Sequence, residues 1–183
     1  MKKRILLIVF VCILSLCSFG CSSDDPENND GSEINGANGT EKSQPIDACS
    51  LITKAEAEAA IGMAVEEPEF SEQPATGQKT CFYDGTEENI GTGFVQLSIL
   101  RTDEMPDNIV EAGQSAEVIY YSLKDNDLDM KEIEGIGDEA FWGTGGLYVL
   151  KEDVYFTISV GNSSVPENVE ICKSLAEIVI SRL

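Results

Sequence analysis

Histidine is absent from this chain. With it go the commonest general base, every Ser-His or Cys-His nucleophile pair and the imidazole ligands of zinc. Basic residues are scarce too: 12 Lys and Arg stand against 33 Asp and Glu in 183 residues, a formal charge of −21. Such a field repels phosphate backbones and anionic headgroups, so nucleic acid is not an expected partner. It favours solubility and attracts cations or basic polypeptides. None of the six cysteines forms a C-x-x-C pair, and scattered thiols without histidine make a poor metal site. No cofactor, metal or catalytic residue is therefore expected.

What is present begins with a leader. Met1-Lys2-Lys3-Arg4 is basic, and Ile5 to Phe19 is an uncharged apolar run ending at Gly20-Cys21. The run is short for a membrane span and no basic stop-transfer residues follow, which is the pattern of a secretory signal. A small residue directly before Cys21, then Ser-Ser-Asp-Asp, resembles the cleavage box of bacterial lipoproteins. In those precursors the cysteine becomes a fatty-acylated N-terminus, and two acyl chains suffice for stable anchoring. The expectation is a signal over residues 1–20, lipidation at Cys21 and an extracytoplasmic protein held on a membrane. Three of the twelve basic residues leave with the signal, so nine remain against 33 acidic ones, a charge of −24. Residues 22–45 hold almost nothing apolar, so residues 21–45 read as the lipidated cysteine and a disordered acidic linker that separates domain and lipid by about 25 to 30 Å.

One α+β domain is expected over residues 46–183: an antiparallel sheet of four to six strands with helices packed on one face. "DACSLITKAEAEAAIG" reads as a helix with a Thr53–Glu56 capping box and a left-handed cap at Gly62. "KTCFYD" and "GFVQLSILR" read as strands separated by a hairpin-like loop after Asp84-Gly85. Apolar residues at helical spacing from Pro106 to Leu123 predict a second helix, weakened at Gly113. Further strands are read at Met130–Ile133, around Ala140–Trp142 and at Leu147–Lys151. In the last strand Val154, Phe156, Ile158 and Val160 alternate with Tyr155, Thr157 and Ser159, which suggests a sheet covered on one side only. Ser164, Pro166 and Glu167 open a C-terminal helix whose apolar stripe runs from Val165 to Leu183.

Cys12 and Cys17 lie in the leader and Cys21 is assigned to lipid, leaving Cys49, Cys81 and Cys172. In an oxidising compartment two of three should pair. Cys172 sits in an apolar helix stripe where a buried thiol needs no partner, which favours Cys49 with Cys81; a pairing through Cys172 is the alternative.

The leader, the acidic linker, "DACSLITKAEAEAAIG", "TCFYDG", "IEGIGDEAFW" and the closing "AEIVISRL" occur in an order that resembles secreted bacterial lipoproteins of a domain-of-unknown-function family common in actinobacteria. Such proteins carry a Cys-Ser-Leu-Leu-Thr helix start, a Cys followed by an aromatic residue and a Gly-x-Gly-Asp-Glu-Ala step. The resemblance spans residues 45–183 and implies that Cys49 and Cys81 are paired. It implies no activity.

Several motifs invite a chemistry. Gly135-Ile-Gly-Asp-Glu-Ala140 fits the dinucleotide pattern G-x-G-x-x-G/A. The following Phe141-Trp142-Gly-Thr-Gly-Gly cannot continue a helix, however, and Asp138 and Glu139 would sit where phosphates belong, so a bend entering a strand is expected. Asp125 to Asp129 supplies the first alternating carboxylates of a calcium loop but has Met130 where glycine is needed and Ile136 where the bidentate Glu belongs. Carboxylate pairs, Asp138 with Glu139 or Glu66 with Glu67, offer a route to glycoside hydrolysis. Trp142, Tyr120, Tyr121, Phe141 and Tyr148 are candidates for lining a ligand pocket. Asn38-Gly-Thr40 and Asn162-Ser-Ser164 match glycosylation sequons, fortuitous behind a bacterial leader. The sequence thus points to a membrane-anchored, non-catalytic binding module of the cell envelope, for an envelope protein or small ligand; the alternative is a carboxylate-dependent envelope hydrolase.

Overall fold

The computed structural model describes residues 43–86, 93–161 and 165–183. The leader, Cys21, nearly all of the acidic linker, both sequons and the Ser164 cap position lie outside the described residues. Chain order is α1 (Ala48–Leu51), α2 (Lys54–Ile61), β1 (Glu69–Gln73), β2 (Gln78–Asp84), β3 (Phe94–Arg101), a 3₁₀ turn (Thr102–Glu104), α3 (Asp107–Glu111), α4 (Ala116–Asn126), β4 (Lys131–Ile133), β5 (Glu139–Gly143), β6 (Gly146–Lys151), β7 (Val154–Val160) and α5 (Glu167–Ile180). The strands form one open sheet in the order β1-β2-β3-β7-β6-β5-β4, and every neighbouring pair is antiparallel.

The α+β class and the antiparallel sheet agree with the sequence; the strand count is seven, not four to six. The strand missed outright is β1, Glu-Phe-Ser-Glu-Gln. All five of its residues are exposed, so no hydrophobic alternation marks it, and it exists because its backbone pairs with β2 across the turn at Gly77. Gly77 has φ +78°, and a β-carbon there would press on the Glu104 carbonyl, so this turn needs glycine.

Two expected helices are each broken in two. Thr53 takes an extended conformation so that its hydroxyl accepts from the Glu56 N–H while Glu56 accepts from the Thr53 N–H. A capping box requires a non-helical residue at its head, so the motif that starts α2 also ends α1. Gly62 is left-handed at φ 71°, as its position after the apolar run suggested. Likewise Gly113 (φ +86°) stops α3, and Ser115 caps α4 by accepting from the Val118 N–H at 3.1 Å. In α5 the capping position is Pro166.

The sheet carries helices on both faces, which corrects the single covered face expected. On the first face Val95, Leu97, Ile99, Val149, Phe156 and Ile158 are packed with Ala48, Leu51 and Ile52 from the first turn, Ala57 of α2, and Cys172, Leu175, Ala176 and Val179 of α5. Each fully buried aliphatic or Phe side chain contributes about 1.5–3 kcal/mol. Cys49 and Cys81 are joined across this layer with a Cα separation of 5.1 Å, and Cys172 is a buried free thiol. The bridge closes a sequence separation of 32, worth about 3 to 4 kcal/mol in the chain-entropy account. On the second face Leu100, Phe141, Leu150 and Tyr155 meet Ala116 and Tyr120 of α4 and Met105. The sequence hid this layer because Tyr155 looks polar in an alternation pattern, yet its ring buries as a hydrophobic body.

Candidate functional site

Helix α4 covers only part of the second face. It packs on β6 and β7, and the hydroxyl and amide side chains of β2, β3 and β7 beside it are left as the floor of a groove. Strand register runs a row of residues through that floor and past it: Ser71 of β1 lies opposite Thr80, Thr80 opposite Ser98, Ser98 opposite Thr157, Thr157 opposite Tyr148 and Tyr148 opposite Phe141, and Ser98, Thr157 and Tyr148 of this row line the groove. Because side chains alternate between faces with period 2, one residue from each of six adjacent strands stands in a single row. Gln96 and Ser159, directly paired between β3 and β7, begin a second row two positions along.

The groove has a cavity volume of 400 Å³. Its floor includes Gln96, Ser98, Thr157 and Ser159, and its wall includes Ile119 and Leu123 of α4 with Tyr148 and Tyr155. Internal hydrogen bonds fix the floor: the Thr80 and Ser98 hydroxyls are 3.1 Å apart, the Gln96 amide donates to Ser98 at 3.1 Å, and the Tyr155 and Thr157 hydroxyls meet at 2.7 Å. The Ser159 hydroxyl donates to the Gly145 carbonyl. Tyr148 stacks on Phe141 with ring centroids 4.5 Å apart and planes 3° from parallel, and Tyr155 lies 6.4 Å away on the β7 side at 7°. The wall is thereby pre-organised.

The groove is electrically neutral. Among its lining side chains there is no Asp, Glu, Lys or Arg. Burial pushes the Tyr155 phenol up to about 12 and also raises that of Tyr148, so both stay uncharged. In so acidic a chain an uncharged recess of this size is a distinctive surface.

The residues singled out from sequence fall elsewhere or in part here. Tyr120 and Phe141 are fully buried core, and Tyr121 donates to Glu139 at 2.7 Å. Trp142 packs against the first-face core; only Tyr148 of the five lines this groove. Gly135 (φ +81°) and Gly137 (φ +61°) make a bend that enters β5, so the glycine motif turns the chain as expected. Its two carboxylates have separate partners. Asp138 accepts from the Glu152 N–H and from Lys151, which hold it below the ordinary carboxylate range, while Glu139 accepts from Tyr121 and Lys124 and is lowered by them. Together with Glu132 and Glu134 they rim a second recess of 390 Å³ in which Lys124 bridges Glu132 and Glu139, each at 3.1 Å. Glu67 pairs with Lys54 at 2.7 Å, and Glu66 is exposed. Asp127 of the acidic turn accepts from the Thr144 and Asp129 N–H groups at 2.9 and 3.1 Å, tying the end of α4 to the β5–β6 turn.

Sequence reasoning missed Thr80, Gln96, Ser98, Thr157 and Ser159 by reading them as an ordinary solvent face. The signal was their chemistry: the second-face positions of β3 and β7 are Phe94, Gln96, Ser98 and Leu100, then Tyr155, Thr157 and Ser159, with no charge, whereas a solvated face in this chain would carry acids. Comparison with protein-family models, with curated proteins and with solved structures returns no match.

Proposed function

We propose that this protein is a lipid-anchored, extracytoplasmic binding module of the cell envelope, without catalytic activity, and that it engages its ligand through the groove beside α4. The anchor is Cys21, and kinship with the bacterial lipoprotein group named above belongs to the same reading. The observation that carries the binding assignment is the neutral, hydroxyl-floored recess of 400 Å³ left where α4 stops short of covering the sheet. Ligand sites are typically concave, mostly apolar and furnished with a few fixed polar groups; the stacked tyrosine wall and the bonded hydroxyl floor have that composition.

Hydrolysis by carboxylates is the weaker reading. A glycosidase needs one carboxyl held protonated as the acid, whereas Asp138 and Glu139 are both held ionised by their partners.

Two measurements test the proposal. Metabolic labelling with a fatty acid should mark the wild-type chain and not Cys21→Ser, which should leave the membrane fraction; labelling of both would refute the anchor. Envelope extract should be retained by the immobilised protein and not by Gln96→Lys, whose charge lies on the groove floor, provided that the variant melts like the wild type. Equal retention would place binding elsewhere.

A further inference from the structure

We infer that the ligand of this groove is an uncharged oligosaccharide chain laid across the strands along the hydroxyl row. The inference rests on the binding role proposed above and names its ligand class. Ser98, Thr157 and Tyr148 line the groove, and the strand register continues their row to Thr80 and Ser71 beyond it, one hydroxyl residue from each of β1, β2, β3, β7 and β6; Ser98 and Thr157 are 7% and 9% exposed. Neighbouring strands are about 4.8 Å apart, so the four steps of this row cover about 19 Å. One strand step is close to the length of one pyranose unit in an extended chain, and each sugar can therefore meet the same kind of group as its neighbour.

The chemistry of the row suits sugars better than the other ligands of an envelope. A hydroxyl carries one donor and two acceptor sites, and a carboxamide carries both kinds. The bonds among Thr80, Ser98 and Gln96 and between Tyr155 and Thr157 leave each hydroxyl with spare capacity to meet a sugar hydroxyl as donor or acceptor. Anionic ligands find no cation in the lining and a formally negative chain around it; an ammonium or guanidinium group finds no carboxylate to pair with. A peptide would form its strongest bonds with a sheet edge, and this groove is floored by side chains of interior strands. At the α4 end Tyr148 and Tyr155 line the groove, with Phe141 stacked on Tyr148 at 4.5 Å and Tyr155 near-parallel to it at 6.4 Å, and the C–H face of a sugar can pack against this aromatic wall.

The test uses the full chain in a detergent that has no sugar headgroup. Cellotetraose, chitotetraose and maltotetraose are titrated by calorimetry beside their disaccharides, a tetragalacturonate and uncharged Ser/Asn/Gly peptides. The inference expects at least one neutral tetrasaccharide to bind about tenfold or more tightly than its disaccharide, a difference of about 1.4 kcal/mol, with tetragalacturonate weaker. Gln96→Glu, nearly isosteric, and Tyr148→Ala should each weaken that binding about tenfold or more while the melting temperature of at least Gln96→Glu stays near the wild type. Overturning results are that no neutral oligosaccharide binds, or that binding ignores both substitutions. If a neutral peptide binds instead and Gln96→Glu abolishes it, the oligosaccharide is refuted while the groove survives as the binding face.

Discussion

Tyr120 shows what individual side chains contribute to the second face. Its ring is fully buried among Phe141, Tyr121 and Tyr155, with centroids 5.4 to 6.1 Å away, yet its hydroxyl has no hydrogen-bond partner among the described residues. A buried hydroxyl left unpaired costs about 1–3 kcal/mol. Tyr120→Phe should therefore stabilise the protein by about 1 kcal/mol in a denaturant titration; a loss of similar size would show that the hydroxyl has a partner. Glu56 is the opposite case. Arg182 grips its carboxylate through two bonds of 2.6 and 2.8 Å, and together with the Thr53 cap it lowers the Glu56 pKa from 4.5 to about 2. A carboxyl whose folded pKa is depressed adds stability that is fully present above its unfolded value and is lost as pH falls through the folded one. Glu56 is partly exposed, so solvent screening leaves about 1 kcal/mol of that stabilisation. Glu56→Gln should thus cost about that much at neutral pH, and its deficit relative to the wild type should shrink between about pH 4.5 and 2; a deficit constant over that window would contradict the assignment.

Elements were legible where a local motif sets them and illegible where only pairing does. The capping box at Thr53, the glycine after α2 and the alternation in β7 each have a local physical cause, and each was readable. Strand β1 has none: its residues touch no core, and its backbone hydrogen bonds to β2 decide its state. The site divides along the same line. Tyr148 could be nominated as an aromatic, but the hydroxyl row is assembled from five strands by register, a long-range property that no single stretch encodes. A buried polar knot also escaped the sequence. Glu104 takes Lys79 at 2.9 Å, Arg101 at 3.5 Å and the Ile46 N–H at 2.7 Å, while Lys79 donates to the Ile46 carbonyl at 2.9 Å. With Arg101 holding the Gln44 carbonyl at 2.8 Å, the chain is fastened to the sheet before α1 starts. Side chains of the Lys79–Glu104 pair are 10% and 13% exposed, and removing one member of so buried a pair costs about 3–5 kcal/mol. Glu104→Ala should lower stability by about 3 kcal/mol in urea. It should also open the 43–46 segment to proteolysis before global unfolding; unchanged stability would mean that the knot is idle.

For the molecule as a whole, the disulfide and α5 lie with the buried first face, and the open part of the second face holds the neutral groove proposed for recognition. The acidic excess keeps other anions away while the groove itself stays neutral, a division of charge consistent with a partner that is polar and uncharged. The most direct test of the central claim is site-specific photocrosslinking in living cells. A photoreactive residue replaces Gln96 on the groove floor in one strain and exposed Glu177 on α5 in another. The account predicts a discrete crosslinked envelope species from position 96 and none from position 177; crosslinks from 177 alone, or from both alike, would contradict it.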